Sequence, residues 1–127
     1  MESTLEIGKK LVSLCKQGQW LNAIDTLYSA DIKSIEAMAV PSHPQQMNGI
    51  AAVREKTIAF TNGHDIHHCE VGGPWPHGDR FIVTFRLDLT AKSGPMAGKR
   101  FVIEEAALYS VKGGKIVQEE FFYHMPG

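Results

Sequence analysis

The sequence predicts an α+β domain, and three observations carry that expectation. Apolar residues of the N-terminal half recur mostly at helical spacing. In the last third they alternate with polar ones at a period of two, the mark of half-buried strands. Glycine- and proline-rich turns punctuate the change. Helices first and an antiparallel meander last is the α+β arrangement.

Ser3 followed by Glu6 forms a capping box, since a hydroxyl and a carboxylate three residues apart satisfy amide donors at a helix start. The predicted helix buries Ile7, Leu11, Leu14 and Cys15, and Gly18 stops it. A second, shorter helix runs through Trp20, Ile24, Leu27 and Tyr28, and Asp31 leads into a strand from Ile32 to Met38. Val40 to Pro44 is irregular, because Pro41 and Pro44 restrict themselves and their predecessors. Asn48 is the expected cap of a third helix bearing Ile50, Val53 and Phe60, which Asn62-Gly63 ends.

His64 to Val71 reads as a strand, with His64-Asp65 as a turn entering it, and Gly72 to Pro76 as a loop. Phe81, Val83, Phe85, Leu87 and Leu89 then define one face of a long strand. Ser93-Gly94-Pro95 turns the chain into a partner strand whose apolar face is Phe101, Ile103, Ala107 and Tyr109. Lys112-Gly113-Gly114-Lys115 is a tight hairpin, and Ile116 to His124 is the last strand.

With 127 residues, the chain is read as one domain, residues 1–127, with core enough to fold without disulfides or structural metal. A formal net charge of −1 gives no broad footprint for nucleic acid. No apolar stretch is long enough for a membrane span, and the first residues lack the apolar centre of a signal peptide. Cys15 and Cys69 are far apart in sequence with no C-x-x-C spacing, which fits a reducing compartment. The expectation is a cytoplasmic protein.

Three stretches carry a family resemblance. They are Leu27-Tyr28-Ser29-Ala30-Asp31 with Ser34-Ile35-Glu36, then Asn48-Gly49-Ile50-Ala51-Ala52-Val53, and finally Tyr109 to Val117 running into Glu119-Glu120-Phe121-Phe122-Tyr123. In this order they resemble the nuclear-transport-factor-two-like superfamily, and within it the SnoaL-like branch. The resemblance implies a cone-shaped α+β barrel, with N-terminal helices packed in a strongly curved, mostly antiparallel sheet. It also implies an internal pocket for a small hydrophobic molecule and a homodimer through the outer sheet face. Relatives include ketosteroid isomerases, polyketide cyclases, dehydratases, epoxide hydrolases and non-catalytic binding domains, so the activity has to be read from the site. Relatives often carry an acid just after the terminal aromatic pair, where this sequence has His124.

One anomaly points to chemistry. Glu105 falls in phase with Phe101, Ile103, Ala107 and Tyr109, on an otherwise apolar face. Pivoting on the Ser93–Pro95 turn sets Glu105 beside Phe85, and Glu104 beside Arg86, its surface partner. For the terminal hairpin two registers are open. A three-residue loop at Lys112, Gly113 and Gly114 sets Ala107 opposite Glu119 and Glu105 opposite Phe121, and turns Glu119, Phe121 and Tyr123 inward. A turn of the two glycines alone turns Gln118, Glu120 and Phe122 inward. The first is preferred because it keeps Val117, Glu119, Phe121 and Tyr123 in line with the inner set.

Carboxyl groups in an apolar pocket hold protons more tightly than in water, and neighbouring pairs titrate apart. That suits acid/base work on a carbonyl compound with no cofactor. Glu105, Glu119 and Tyr123 are the candidate catalytic residues, and Trp20, Tyr28, Glu36, Trp75, Phe85 and Phe121 the candidate ligand-binding ones. Plain core packing competes for each aromatic, and mutual hydrogen bonding competes for the carboxylates. His64-Asp65-Ile66-His67-His68-Cys69-Glu70 holds zinc- and iron-ligand types, but on a strand His67 and Cys69 face away from His68 and Glu70, so no metal is expected. The expected function is a cofactor-independent isomerase, cyclase or dehydratase. A non-catalytic ligand-binding or dimerisation domain is the alternative.

Overall fold

A computed structural model describes residues 2–39 and 43–124. Three helices precede or interrupt six strands: α1 Thr4–Lys16, α2 Trp20–Leu27, β1 Tyr28–Ile35, β2 Gln46–Asn48, α3 Ile50–Gly63, β3 His64–His77, β4 Arg80–Ala91, β5 Arg100–Lys112 and β6 Lys115–Tyr123. Residues 40–42 of the expected irregular stretch lie outside the described residues. The strands form one curved sheet in the order β2-β1-β6-β5-β4-β3. All neighbours are antiparallel except β1 and β6, which run parallel. Among the described residues no helix is long and apolar enough to cross a membrane.

Ser3 caps α1, its Oγ accepting from the Glu6 amide at 3.1 Å. Ile7, Gly8, Leu11, Val12 and Cys15 face the sheet, and Gly18, at φ +71°, turns the chain into α2. The α2 face of Ala23, Ile24 and Leu27 completes the core with Phe81, Val83, Leu89, Ala107, Tyr109 and Ile116. Val53 is the one buried residue described in α3, which packs against α2, β1, β2 and β3.

Several boundaries differ from the expectation. Tyr28 opens β1 rather than closing α2, because its extended backbone hands the chain directly to the sheet. Gly49, at φ +91°, caps α3 in place of Asn48, which pairs instead with Lys33. The stretch from Gly72 to Pro76 is strand, and so is His64-Asp65, which pairs with Ala91 and Thr90. An extra residue between Gly72 and Trp75 accommodates Pro74 as a bulge without ending the ladder. The β4–β5 register is as expected, with Phe85 opposite Glu105 and Arg86 opposite Glu104.

The terminal hairpin combines both expected registers. The turn is two glycines, with Lys112 opposite Lys115 and Val111 opposite Ile116. A bulge then absorbs Val117, so Ser110 pairs with Gln118 and Tyr109 with Glu119. One extra residue reverses the phase of everything after it. Glu119, Phe121 and Tyr123 therefore face inward, but each lies two residues from its expected partner: Glu119 faces Tyr109, not Ala107, and Glu105 faces Tyr123, not Phe121.

Helix and sheet pack tightly against one another at Gly8. A Cβ there would stand 2.9 Å from Cβ of Pro74 and 3.3 Å from Cδ2 of Phe81. Gly8→Ala should therefore destabilise by about 1–3 kcal/mol through overpacking, although alanine favours a helix by about 1 kcal/mol. Urea denaturation measures the net sign, and a stabilised variant would show that Pro74 yields freely.

Candidate functional site

Period-two alternation brings one row of side chains across four strands on the concave face: Val71, Phe85, Glu105 and Tyr123. The next inward row is Val83, Ala107 and Phe121, the one after it ends in Tyr109 and Glu119, and the parallel β1–β6 pairing sets Ser34 opposite Glu119. Glu36, just past β1, and Lys56, from α3, complete the cluster.

Glu119 is 3% exposed and has both carboxylate oxygens occupied. Tyr28 donates its hydroxyl proton to Oε1, and Ser34 donates to Oε2 at 2.7 Å. The Lys56 ammonium lies 4.0 Å from the same Oε2. It donates to Oγ of Ser34 and, at 2.6 Å, to Oε1 of Glu36. Glu36 accepts a second bond, 3.0 Å from the Tyr123 hydroxyl. The ammonium also stands 5.3 Å from the centre of the Phe121 ring. Tyr28, Ser34, Glu119, Lys56, Glu36 and Tyr123 thus form one continuous polar chain.

Glu105 stands apart from it. Among the described residues no side chain hydrogen-bonds to this carboxylate, and burial with the nearby charges of Glu36 and Glu119 pushes its pKa up to about 7, against a smaller downward pull from Lys56. Burial also raises Glu119, opposed by Lys56, Tyr28 and Ser34. Tyr123 is raised by burial and by Glu36, and Tyr28 by burial and Glu119, so both hydroxyls keep their protons. A carboxyl half ionised near neutrality, facing into the concave side of the sheet, is equipped to accept and return a proton.

The aromatic candidates divide. Phe85 is buried beside Glu105, and the Trp20 ring lies 6.2 Å from it, centre to centre. Phe121 lies beneath Lys56, and Tyr28 holds Glu119. Trp75 does not join them: it is 55% exposed on the opposite face, opposite Ile82. The bulge after Gly72 advances the chain by one residue and so reverses its direction. Ser34 and Lys56 are site residues that sequence reasoning missed. Ser34 was legible as the first residue of the Ser34-Ile35-Glu36 stretch, whereas nothing in the helical pattern singles out Lys56.

The histidine cluster does not converge. His67 bonds Thr90 Oγ1 at 2.6 Å, His68 lies 3.7 Å from Glu70, and His64 stacks on Phe60. Burial raises Cys15 to about 12 and Cys69 to about 11, so both are protonated thiols rather than nucleophiles.

A groove of about 560 Å³ runs over Gly72, Thr84, Arg86, Glu104, Ala106 and Phe122 of the convex face and is bordered also by Val71, Phe85 and Glu105. Trp75, Ile82, Val102 and Phe122 are exposed on this face, beside the Arg86–Glu104 and Arg100–Asp88 ion pairs. Glu105 thus borders the groove, whereas Glu36 and Glu119 do not line it.

A SnoaL-like domain family model matches residues 2–123. A proposed SnoaL-like polyketide cyclase from Mesorhizobium loti is similar at 36% identity, covering 96% of this chain and 100% of its own, with a TM-score of 0.88. A nuclear-transport-factor-two-like protein from Burkholderia thailandensis shares the fold at 20% identity, with coverage of 98% and 92% and a TM-score of 0.79. So does a protein of ketosteroid-isomerase-like fold from Catenulispora acidiphila, in complex with trimethylamine, at 19% identity, coverage of 97% and 88% and a TM-score of 0.72. No curated protein matches this chain.

The raised Glu105 has a consequence for stability. The folded protein binds this proton more tightly than the unfolded chain, whose carboxyl titrates near 4.5. Its contribution to stability is therefore full below pH 4.5 and is lost as pH rises to about 7. Glu105→Gln, neutral throughout, should gain on the parent across that window by up to about 3 kcal/mol. Denaturant unfolding at a series of pH values measures the difference. A difference independent of pH would mean that Glu105 titrates like a surface carboxyl.

Proposed function

The chain belongs to the SnoaL-like family, and on that premise we propose that it binds a small hydrophobic carbonyl compound beside Glu105 and moves a proton on it without a cofactor. The observation carrying this reading is that, among the described residues, Glu105 is the unpartnered member of a three-carboxylate cluster whose other members, Glu36 and Glu119, are held by hydrogen bonds and Lys56. Ionised Glu105 takes the proton from the carbon next to the carbonyl. The C–H electron pair becomes the enol double bond, and charge develops on the carbonyl oxygen. Tyr123, directly opposite Glu105 in the ladder, supplies the hydrogen bond to that oxygen by turning its one hydroxyl proton from Glu36 to the substrate. Glu119, occupied on both oxygens, acts as the second carboxylate by its charge, which holds the Glu105 proton. Returning the proton to another carbon isomerises the compound. Expelling a β-hydroxyl as water dehydrates it, and attack of the enol carbon on a second carbonyl closes a ring. Trp20, Phe85 and Phe121 flank the bound molecule.

Incubation with a panel of hydrophobic ketones in D2O, followed by proton NMR, reads the first step as loss of the α-proton signal. Glu105→Gln should slow that exchange by about 100-fold or more while the fold persists. Saturable binding by the parent with no exchange on any ketone would favour a non-catalytic ligand-binding domain instead.

The convex face supports a homodimer. Trp75, Ile82, Val102 and Phe122 form an exposed apolar set, and the ion pairs around it carry both signs of charge, as a self-complementary surface requires. Phe122→Glu should shift sedimentation from dimer to monomer. A parent that sediments as a monomer at all accessible concentrations would remove this surface as a dimer contact.

A further inference from the structure

Lys56 is a cation in an unusual position. It projects from α3, a helix otherwise weakly anchored to the core, and its side chain is 13% exposed. Its ammonium reaches two strands at once, bonding Ser34 of β1 and Glu36 beyond it, and facing Glu119 and the Phe121 ring of β6. The other described ion pairs of α2 and α3 are peripheral: Arg54 binds Asp25 at the surface. A buried ammonium is costly to desolvate and is retained where several acceptors compensate it. Here two acceptors, Ser34 and Glu36, do so, with the Glu119 carboxylate 4.0 Å away, and all three belong to the same cluster.

We propose that Lys56 is the positioning residue of this site, gathering Glu36, Ser34 and Glu119 into a fixed cluster whose balance of charge sets the protonation of unpartnered Glu105. The inference rests on the acid/base reading above and adds a residue to it. Lys56 touches the carboxylates and acts through them.

The groups facing Glu105 come from every neighbouring element. Glu36 follows β1, Glu119 and Tyr123 lie on β6, Tyr109 on β5 itself, Cys69 on β3 and Lys56 on α3. The thiol and the two phenols are neutral at pH 7, since burial raises all three. Two carboxylates therefore oppose ionisation of Glu105, and one ammonium favours it. Without that ammonium nothing described in the cluster offsets their repulsion, and Glu105 holds its proton too tightly to act as a base at neutral pH.

Carbon-detected NMR of the glutamate carboxyl groups tests this on the full chain with no substrate. Lys56→Met should raise the Glu105 midpoint by roughly one pH unit, and Lys56→Arg should restore it. Glu36→Gln, which removes a repelling charge, should lower it. Amide spectra report whether each variant is folded. If Lys56→Met does not fold, the pair Lys56→Arg and Glu36→Gln decides: Arg must leave the Glu105 midpoint near the parent's while Gln lowers it. A Glu105 midpoint that is unmoved or lowered in folded Lys56→Met, or unmoved in Glu36→Gln, overturns the proposal. The two readings fail separately. If Glu105 follows Lys56 but Glu105→Gln leaves α-proton exchange intact, the acid/base function is lost and the charge relation stands.

Discussion

The buried carboxylate of Glu119 is where the separate parts of this chain are tied together. Tyr28, at the junction of α2 and β1, occupies one of its oxygens, and Ser34 of β1 the other. Lys56 brings α3 to the same point. Two helices and two strands thus converge on one ionisable group inside an apolar core. Removing any one donor would leave a buried acceptor short of a partner, at a cost of about 1–3 kcal/mol. The same contacts support the parallel pairing of β1 with β6, which local sequence cannot nucleate because the two strands are separated by most of the chain.

That arrangement depends on Val117. A two-glycine turn alone would carry Gln118, Glu120 and Phe122 to the concave face and leave Glu119 toward the convex one. The bulge reverses the phase just before Glu119, delivering it to Tyr28 and Ser34. The side-chain chemistry explains the choice. With both oxygens satisfied Glu119 can be buried, whereas the alternative would place Phe122 inside and Glu120 against hydroxyl groups it would have to reach from two residues away. Another bulge, after Gly72, acts in the opposite sense and sends Trp75 outward.

Most of the fold was legible because its signals are long and periodic. Five alternating apolar residues fix the inner face of β4, and the turn at Ser93–Pro95 fixes the β4–β5 register, so Glu105 was found beside Phe85 from sequence alone. The misjudged places are those where one residue breaks the period. Proline 74 reads as the end of a strand, yet the bulge allows β3 to continue to His77. Trp75 reads as a pocket aromatic, yet the same bulge reverses it. Glu119 was assigned to the correct face by a register two residues away from the real one. Lys56 lay beyond sequence reasoning for another reason: an isolated lysine on a helix is ordinarily a solvated residue, and only tertiary packing shows where its ammonium ends.

The division of labour among three glutamates follows from partner count. The sequence marks Glu105 and Glu119 as catalytic candidates and Glu36 as a ligand-binding one, and their surroundings divide them differently. Glu119 has two hydroxyl donors and a distant ammonium, and Glu36 has an ammonium and a phenol. Groups held so firmly have little freedom to exchange protons with a ligand, because any proton they accept must first displace a donor. Glu105 has charge around it but, among the described residues, no donor, so field and burial set its proton affinity. A site needs both kinds. Fixed carboxylates and their counter-ion establish the field, and a free carboxyl responds to it at neutral pH. The sheet supplies that combination by spacing the three side chains across separate strands, close enough to interact and far enough apart for only one to remain unoccupied.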